Sequence, residues 1–267
     1  SSLTFEARGS GSRVALVLAT MTDAPVTGPA QPTAPIAFAP GDITARLGAR
    51  SVSVDDATLT RLRSACSGVT TDAVTLAETS RDWWPLAMTW ALDSEVAGLA
   101  GVVCRPSTND EASAVAEICN ESVIPLTVTA GRSGVGGGSV PLHGGVALDL
   151  CGLSGIIDVD DRSLIARVRA GTFGDHFEHE LRTVHGLTAG HWPQSMTLAT
   201  VGGWLACRGA GQLSTRYGKI EDIVRGLQVV LADGRQIATG GYPRQAAGPD
   251  LDQLFVGSEG TLGIIVE

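Results

Sequence analysis

The alternation of apolar and polar positions becomes regular from about residue 99 onward. The segment "GLAGVVCRP" predicts a strand, and "STNDEASAVAEICNES" predicts a helix, because Val115, Ile118 and Cys119 fall on one face. Thr108 and Glu111 have the spacing of a capping box at the start of that helix. "VIPLTVTA" and "GGVALDL" are apolar and rich in β-branched residues, which predicts two further strands. The order of elements indicates a domain of mixed α and β structure.

The second half of the chain continues in the same mixed style. "SLIARVRA" alternates from Leu164 onward and predicts a strand. "TFGDHFEHELRTVHG" predicts an amphipathic helix with a capping box at Thr172 and Asp175 and a stop at Gly186. "LQVVLADGRQIAT" predicts a hairpin with Asp-Gly in the turn. The final segment predicts a helix from Pro249, a loop at 257–260 and a strand at 263–266.

The N-terminal part of the chain has a different pattern. Residues 21–40 are rich in Pro, Ala and Thr and predict an extended, mobile tail, and we expect the natural chain to start at Met21. Residues 41–96 predict a helix at "DDATLTRLRSAC", followed by the aromatic stretch "RDWWPLAMTWAL". The tryptophans of that stretch, Trp83, Trp84 and Trp90, predict core or interface packing.

Composition restricts the class of protein. A chain of 267 residues that is 43% hydrophobic can bury a sizeable core. The net charge of −9, with no run of Lys or Arg, argues against nucleic acid or an anionic membrane as the main partner. The five cysteines include no C-x-x-C pair, which predicts reduced core residues of a cytoplasmic protein. The apolar run at 14–19 is too short to span a membrane.

The stretch "TVTAGRSGVGGGSVP" lies between two predicted strands. A dinucleotide-binding fingerprint needs glycines that open a helix, and a P-loop needs G-x-x-x-x-G-K-[ST]; the stretch meets neither requirement. Two interpretations remain, a flexible spacer or a concave row of backbone N–H groups that holds a phosphate. Loops between buried strands are usually short and ordered, which favours the phosphate loop.

A second glycine-rich stretch is "AGHWPQSMTLATVGGWLACRGAG". Ser195 and Thr200 supply hydroxyls, and Gly202 and Gly203 precede an apolar helical turn, where free N–H groups and a positive dipole end could face an anion. A tight, closely packed turn is an equal alternative. Two such loops together suggest a ligand with two phosphates.

His176, His179 and Glu180 lie together on the helix that follows "SLIARVRA". They lack the spacing of the usual zinc-binding helix motif, so a solvated polar face is the favoured interpretation. The sequence therefore predicts no metal site.

Four motifs, "TAGRSGVGGGSVP", "HWPQSMTLATVGGW", "STRYGKIEDIV" and "GPDLDQLFVGSEGTLG", resemble the flavin-binding domain of the vanillyl-alcohol oxidase and p-cresol methylhydroxylase (PCMH) superfamily. The nearest branch resembles the alkyldihydroxyacetonephosphate synthases, with D-lactate dehydrogenases and glycolate oxidase flavin subunits close by. The resemblance implies an α+β, two-subdomain FAD-binding fold of the PCMH type, with a C-terminal cap domain that is absent from this chain. The expected domains are a leader and disordered tail at 1–40, a helical segment at 41–96, and an FAD-binding domain at 97–267 with subdomains at about 97–150 and 151–267.

The resemblance also implies roles for residues at the motif positions. The FAD diphosphate would lie on Ala130, Gly131, Arg132, Ser133, Gly134, Val135 and Gly136. The diphosphate, ribityl chain and flavin ring would contact Pro193, Gln194, Ser195, Met196, Thr197, Leu198, Ala199, Thr200, Gly202 and Gly203. Cys207, Arg208, Gly209 and Ala210 would lie along the cofactor. The flavin side and the adenine would be covered by the residues of a third motif, namely Glu259, Gly260, Thr261, Leu262, Gly263, Ile264 and Ile265. Glu221 and Asp222 would lie near the nucleotide end. His191 is the candidate catalytic or substrate-phosphate residue, and a structural hydrogen bond in its loop is the alternative.

Three functions follow from the resemblance. The first is an alkyldihydroxyacetonephosphate synthase-like flavoenzyme that exchanges an acyl for an alkyl group without net redox change. The second is an FAD-dependent dehydrogenase or oxidase of a D-2-hydroxy acid such as lactate or glycolate. The third is a non-catalytic flavin-binding subunit that needs a partner chain. We expect a dissociable FAD, a small-molecule substrate (a 2-hydroxy acid or an acyl or alkyl dihydroxyacetone phosphate), no transmembrane segment, and a homodimer as the candidate oligomer. Without the cap, this chain is expected to hold FAD but not to turn over.

Overall fold

The computed structural model describes residues 42–47, 51–241 and 246–267. The expectations for the leader and tail, 1–40, fall outside the described residues. In chain order the elements are β1 (Thr44–Ala45), α1 (Asp56–Ala65), β2 (Gly68–Thr70), α2 (Ala73–Thr79), α3 (Pro85–Ala91), β3 (Glu95–Val96), β4 (Val102–Arg105), α4 (Asn109–Glu121), β5 (Leu126–Thr129), β6 (Val146–Asp149), β7 (Ile156–Asp160), β8 (Ile165–Val168), α5 (Gly174–Glu180), α6 (Val201–Ala206), α7 (Ser214–Tyr217), α8 (Ile220–Ile223), β9 (Gly226–Val230), β10 (Gln236–Gly240), α9 (Leu251–Phe255) and β11 (Ile264–Ile265).

One sheet has the strand order β2-β4-β6-β5. Strands β4, β5 and β6 are parallel, and α4 provides the crossover between β4 and β5. The predicted strands and helix of this region are confirmed. Strand β2 pairs antiparallel with β4, so Val69 lies opposite Cys104. The segment before residue 97 therefore contributes an edge strand to this sheet.

A second sheet holds β10, β9 and β11, all antiparallel, and includes the predicted hairpin with its Asp-Gly turn. Strands β7 and β8 form a separate hairpin. The sequence predicted β8 but missed β7. Leu164, where the predicted alternation begins, lies in the turn before β8, with a φ of 55° and an exposed side chain.

Two large clusters of buried side chains form most of the core in the described residues. The first packs α1 and α4 on the four-stranded sheet, with Leu62, Val115 and Leu148 fully buried. The second surrounds Phe177 and Trp204 and includes α5, α6 and one face of β9. Strand β9 joins the two clusters, because Val230 packs in the first and Val229 in the second.

The start of α4 differs in part from the predicted capping box. The Thr108 hydroxyl accepts a hydrogen bond from Glu111 N at 3.2 Å, as expected. The Glu111 carboxylate accepts from Ser107 N at 2.8 Å, one residue earlier than a capping box requires. The helix is still well capped, because both partners satisfy backbone N–H groups at its N-terminus.

The predicted capping box of α5 is wrong. Phe173 is the N-cap, and the Thr172 hydroxyl donates instead to Arg169 O at 2.7 Å. The helix continues as a π-helical turn, Leu181–His185, and ends at Gly186 with a φ of 67°. The wider turn changes the phase of the helix. Val184, which a regular α-helix would place on the same face as Phe177 and Leu181, is therefore exposed.

The cysteines Cys66, Cys104, Cys119 and Cys151 are buried and free, whereas Cys207 is free and exposed. The prediction that all five are core residues is therefore wrong for Cys207. No helix in the described part of the chain is long and apolar enough to cross a membrane.

Candidate functional site

The first glycine-rich loop connects β5 to β6. Within the described residues, the backbone N–H groups of 131–136 have no hydrogen-bond acceptor. Arg132 has a left-handed φ of 55°. Successive unpaired N–H groups next to a residue in this conformation form the kind of concavity that binds an anion. The phosphate loop predicted from the flanking strands has the backbone chemistry that such a role needs.

The second glycine-rich loop packs directly on the first. A methyl group built on Gly131 would lie 3.3 Å from Ala199 Cα and overlap the carbonyl group of Leu198. Ala199 O in turn accepts a hydrogen bond from Gly174 N at 3.0 Å, at the start of α5. The structure therefore brings together the two loops that the sequence selected separately.

The predicted role of Gly202 and Gly203 requires that their N–H groups be free at the start of a helix. These N–H groups are not free. Gly202 N donates to Ala170 O at 2.8 Å, and Gly203 N donates to the Thr200 hydroxyl at 3.3 Å. Both glycines lie within the first turn of α6. A Cβ at Gly202 would be 2.7 Å from Ala170 Cβ, so close packing is what requires a glycine there.

A third loop, after α9, closes the site from another side. Gly257 N donates to Leu205 O at 2.9 Å, and Glu259 N donates to Ala206 O at 3.1 Å, which ties the loop to the end of α6. The Glu259 carboxylate lies beside Gly138, with an oxygen 3.3 Å from the Cβ position of that glycine. The loop beginning at Glu259 therefore contacts both glycine-rich loops, and its expected role beside the flavin and the adenine stays a prediction.

His191 lies in the second loop and is 1% exposed. Its ring centroid is 4.7 Å from that of Trp204, and within the described residues neither of its nitrogens has a hydrogen-bond partner. The predicted alternative, a structural hydrogen bond from this imidazole, is therefore not found among those residues. Burial lowers the pKa of His191, so the ring is neutral near pH 7. A buried imidazole without partners is costly unless another group supplies them.

Glu178 on α5 anchors the chain that leads to His191, a role that the sequence did not indicate. Its carboxylate is 2% exposed and accepts from Arg182 Nε and the Thr188 hydroxyl, both at 2.6 Å, and from Ala189 N at 3.0 Å. These bonds fix the two residues before Gly190 and His191. Glu178 appeared in the sequence as one of several polar helix positions, so only its contacts identify it.

Arg208, one of the predicted cofactor contacts, has a left-handed φ of 52° and donates to Val256 O at 2.8 Å. Glu221 accepts from Lys219 Nζ at 2.6 Å, and Asp222 accepts from Lys219 N at 2.8 Å. In the described part of the chain, no hydrogen bond or ion pair joins Glu221 or Asp222 to the first glycine-rich loop. Their expected place near the nucleotide end of the cofactor stays a prediction.

Thr129, the last residue of β5, was not selected from the sequence. It is 3% exposed, and its hydroxyl has no partner within the described residues. Its position directly before the first glycine-rich loop was the available signal. No group of three or more His, Cys, Asp or Glu in the described ranges is placed to hold a metal ion.

Comparison with known proteins shows what this arrangement resembles. The family described as FAD binding domain matches residues 100–240. The chain is 37% identical to the glycolate oxidase subunit GlcD of Bacillus subtilis over 62% of its own length and 35% of that protein. It is 38% identical to the alkyldihydroxyacetonephosphate synthase of Caenorhabditis elegans over 46% of its length and 20% of that protein.

A solved structure of an alkyldihydroxyacetonephosphate synthase superposes with a TM-score of 0.76 and 22% identity, covering 93% of this chain and 44% of that one. At 22% identity the superposition shows a shared fold only, and that fold is the predicted one. The chain spans about a third or less of the length of these two curated relatives.

Proposed function

The chain belongs to the FAD-binding domain family, whose cofactor is FAD, and we propose that it forms the flavin-binding part of an enzyme most like an alkyldihydroxyacetonephosphate synthase. The observation that carries the cofactor site is the row of unpaired N–H groups at 131–136, held against the second glycine-rich loop at Leu198. Backbone N–H groups of this kind suit a diphosphate, and they need no help from side-chain charge in an acidic protein.

The residues present fit FAD. The amides of 131–136 would hold the diphosphate, while the second loop and the loop from Glu259 would line the ribityl chain and the ring. Bound FAD supplies the chemistry at its isoalloxazine ring, and the protein supplies position and electrostatics. Thr129 and His191 hold buried polar atoms without partners within the described residues, which a bound ligand would satisfy.

The proposed role of His191 is to bind substrate or to move a proton. Its imidazole is buried and neutral, so one ring nitrogen can accept a hydrogen bond or a proton while the other donates its N–H. A neutral imidazole can serve as a general base near pH 7, whereas a protonated one cannot. Glu178 would fix the loop from which His191 projects.

A second candidate is an FAD-dependent dehydrogenase or oxidase of D-2-hydroxy acids, favoured by the similarity to GlcD. A turnover assay of the full-length protein separates the two. The synthase proposal predicts that an acyl dihydroxyacetone phosphate and a long-chain alcohol exchange groups, while D-lactate or glycolate alone leaves the flavin oxidised. Bleaching of the flavin by D-lactate or glycolate, with L-lactate as the control, would overturn the synthase and support the dehydrogenase.

A third candidate is a flavin-binding subunit that acts only with a partner chain, and a purified protein that turns over alone would exclude it. We further propose a cytoplasmic location, supported by five free cysteines, and a dissociable FAD. Two subdomains, at about 97–150 and 151–267, stay a proposal, and limited proteolysis of the purified protein would test their boundary. A homodimer stays a proposal that sedimentation of the purified protein would test.

A further inference from the structure

A short polar segment before α3, residues 79–82, lies deep in the structure although it precedes the family match at 100–240. Thr79 and Asp82 are each 1% exposed, and Ser80 is fully buried. Buried polar residues persist where their hydrogen bonds hold something in place. The contacts of this segment show that it holds the first glycine-rich loop.

Asp82 binds the loop through its carboxylate. Oδ2 accepts a hydrogen bond from Gly137 N at 2.8 Å, and Oδ1 accepts from Trp84 N at 2.9 Å. Hydrogen bonds from N–H groups to a buried carboxylate are among the stronger ones in proteins. Gly137 has a φ of 81°, which favours glycine, so this bond fixes a backbone conformation that few residues adopt.

Two further contacts join the same segment to the loop. Trp83 N donates to Gly134 O at 2.8 Å. The Trp84 ring lies against Gly137, with its nearest atom 3.4 Å from the Cβ position of that glycine. The loop is therefore held at residues 134 and 137 through its carbonyl group, its N–H group and its surface.

These anchors leave the N–H groups of 131–136 unpaired. A glycine-rich loop without anchors would be mobile and would lose conformational entropy when a ligand ordered it. A loop that is already fixed binds more tightly, because that ordering cost is removed before the ligand arrives.

We propose that Asp82 is a positioning residue for the diphosphate of FAD: it fixes the first glycine-rich loop in the form whose amides bind phosphate. The proposal rests on the proposed FAD site. It adds to that site a residue that lies outside the matched family segment and that touches the loop, not the cofactor.

The test compares Asp82→Asn with wild type in the full chain. The Asn side chain has nearly the same volume, but its single oxygen can accept from only one of the two N–H groups, and its NH2 faces the other donor. Hydrogen exchange measured without FAD should show lost protection of the Gly137 amide. The Kd for FAD should rise at least about tenfold, equal to about 1.4 kcal/mol. The Kd for ADP, which carries the same diphosphate, should rise by a similar factor.

Asp72→Asn is the matched control. Asp72 is the exposed N-cap of α2, and its carboxylate accepts from Thr75 N at 2.9 Å without touching the loop. Its variant should keep Gly137 protection and the wild-type Kd for FAD. The absorption spectrum of FAD bound to Asp82→Asn at saturation should match that of wild type, because Asp82 acts on the diphosphate and not on the ring.

The outcomes separate the two proposals. If wild type binds no FAD, the proposed function fails, while the exchange experiment still tests the anchor. If Asp82→Asn keeps Gly137 protection, or loses it and still binds FAD as wild type does, the positioning role is overturned. If Asp82→Asn does not fold, Asp82→Glu replaces it: the carboxylate is kept but moved by one methylene, and the same loss of protection and affinity is expected. Wild-type values for Asp82→Glu would overturn the role.

Discussion

An alanine at position 131 should push apart the two loops that form the candidate site. The added methyl group would overlap the carbonyl group of Leu198 and lie 3.3 Å from Ala199 Cα. Both neighbours are backbone, which cannot move aside as a flexible side chain does. Overpacking of this kind costs about 1–3 kcal/mol of unfolding free energy. The melting temperature of the protein without FAD should fall by about 2–12 °C for a chain of this size.

The displaced loop should also bind FAD less well. In the proposed site, the amides of 131–136 and the second loop contact the same diphosphate, so a shift of one loop would spoil the geometry for both. We expect the Kd of Gly131→Ala for FAD to rise at least about tenfold, or about 1.4 kcal/mol. Differential scanning fluorimetry gives the melting temperature, and quenching of flavin fluorescence during titration gives the Kd.

Gly136→Ala is the matched control in the same loop. A methyl group there meets no atom within 4 Å. The free energy of unfolding without FAD should therefore change by about 0.5 kcal/mol or less, and the melting temperature should stay close to that of wild type. If the space beside Gly136 belongs to the cofactor, this variant should weaken FAD binding alone. If Gly131→Ala has the melting temperature of wild type and the same Kd for FAD, the packing of one loop on the other is refuted.

Three further predictions concern other parts of the site. Glu178→Ala removes a buried carboxylate with three partners and should lower the free energy of unfolding in urea by about 2–3 kcal/mol, whereas Glu180→Ala, exposed on the same helix, should change it by about 0.5 kcal/mol or less; equal effects would contradict the anchor. Because burial lowers the pKa of His191 below its unfolded value of 6.5, wild type should lose stability relative to His191→Phe as the pH falls from 7.5 to 5.5, by at most about 1.4 kcal/mol per pH unit. A difference that is constant with pH would refute a neutral, buried imidazole. Iodoacetamide should label one thiol of the native protein, Cys207, slowly because partial desolvation and the Glu259 carboxylate raise its pKa, and more slowly still with FAD bound; mass spectrometry that finds a second labelled cysteine would contradict the buried positions of the others.

The elements with strong local signals could be predicted from the sequence. The apolar runs of β4, β5 and β6, and the apolar face of α4, define the sheet that presents the first glycine-rich loop. The strand that follows the loop excludes a dinucleotide-binding fingerprint, and the absence of G-x-x-x-x-G-K-[ST] excludes a P-loop. These predictions hold because periodicity and turn chemistry act within a few residues of one another.

The features that the sequence could not indicate depend on contacts between distant residues. Asp82 and Gly137 are 55 residues apart, and no local pattern links a carboxylate to a glycine loop at that distance. The amide of Gly202 looked free because its acceptor is the carbonyl group of Ala170, which lies just after β8 and far from the second glycine-rich loop in sequence. The π-helical turn after α5 also has no signal in its apolar spacing, since it breaks the 3.6-residue period on which the prediction relied.

Strand β2 has a practical consequence for anyone who cuts this protein at the edge of its family match. A truncated chain starting at residue 100 would lack β2 and would leave β4 as a bare edge, with a row of backbone groups open to pairing with other molecules. It would also lose Leu62 and Cys66 from the shared interior. An expressed fragment should therefore begin before α1. The family match, which begins at residue 100, leaves out residues that belong to the hydrophobic core.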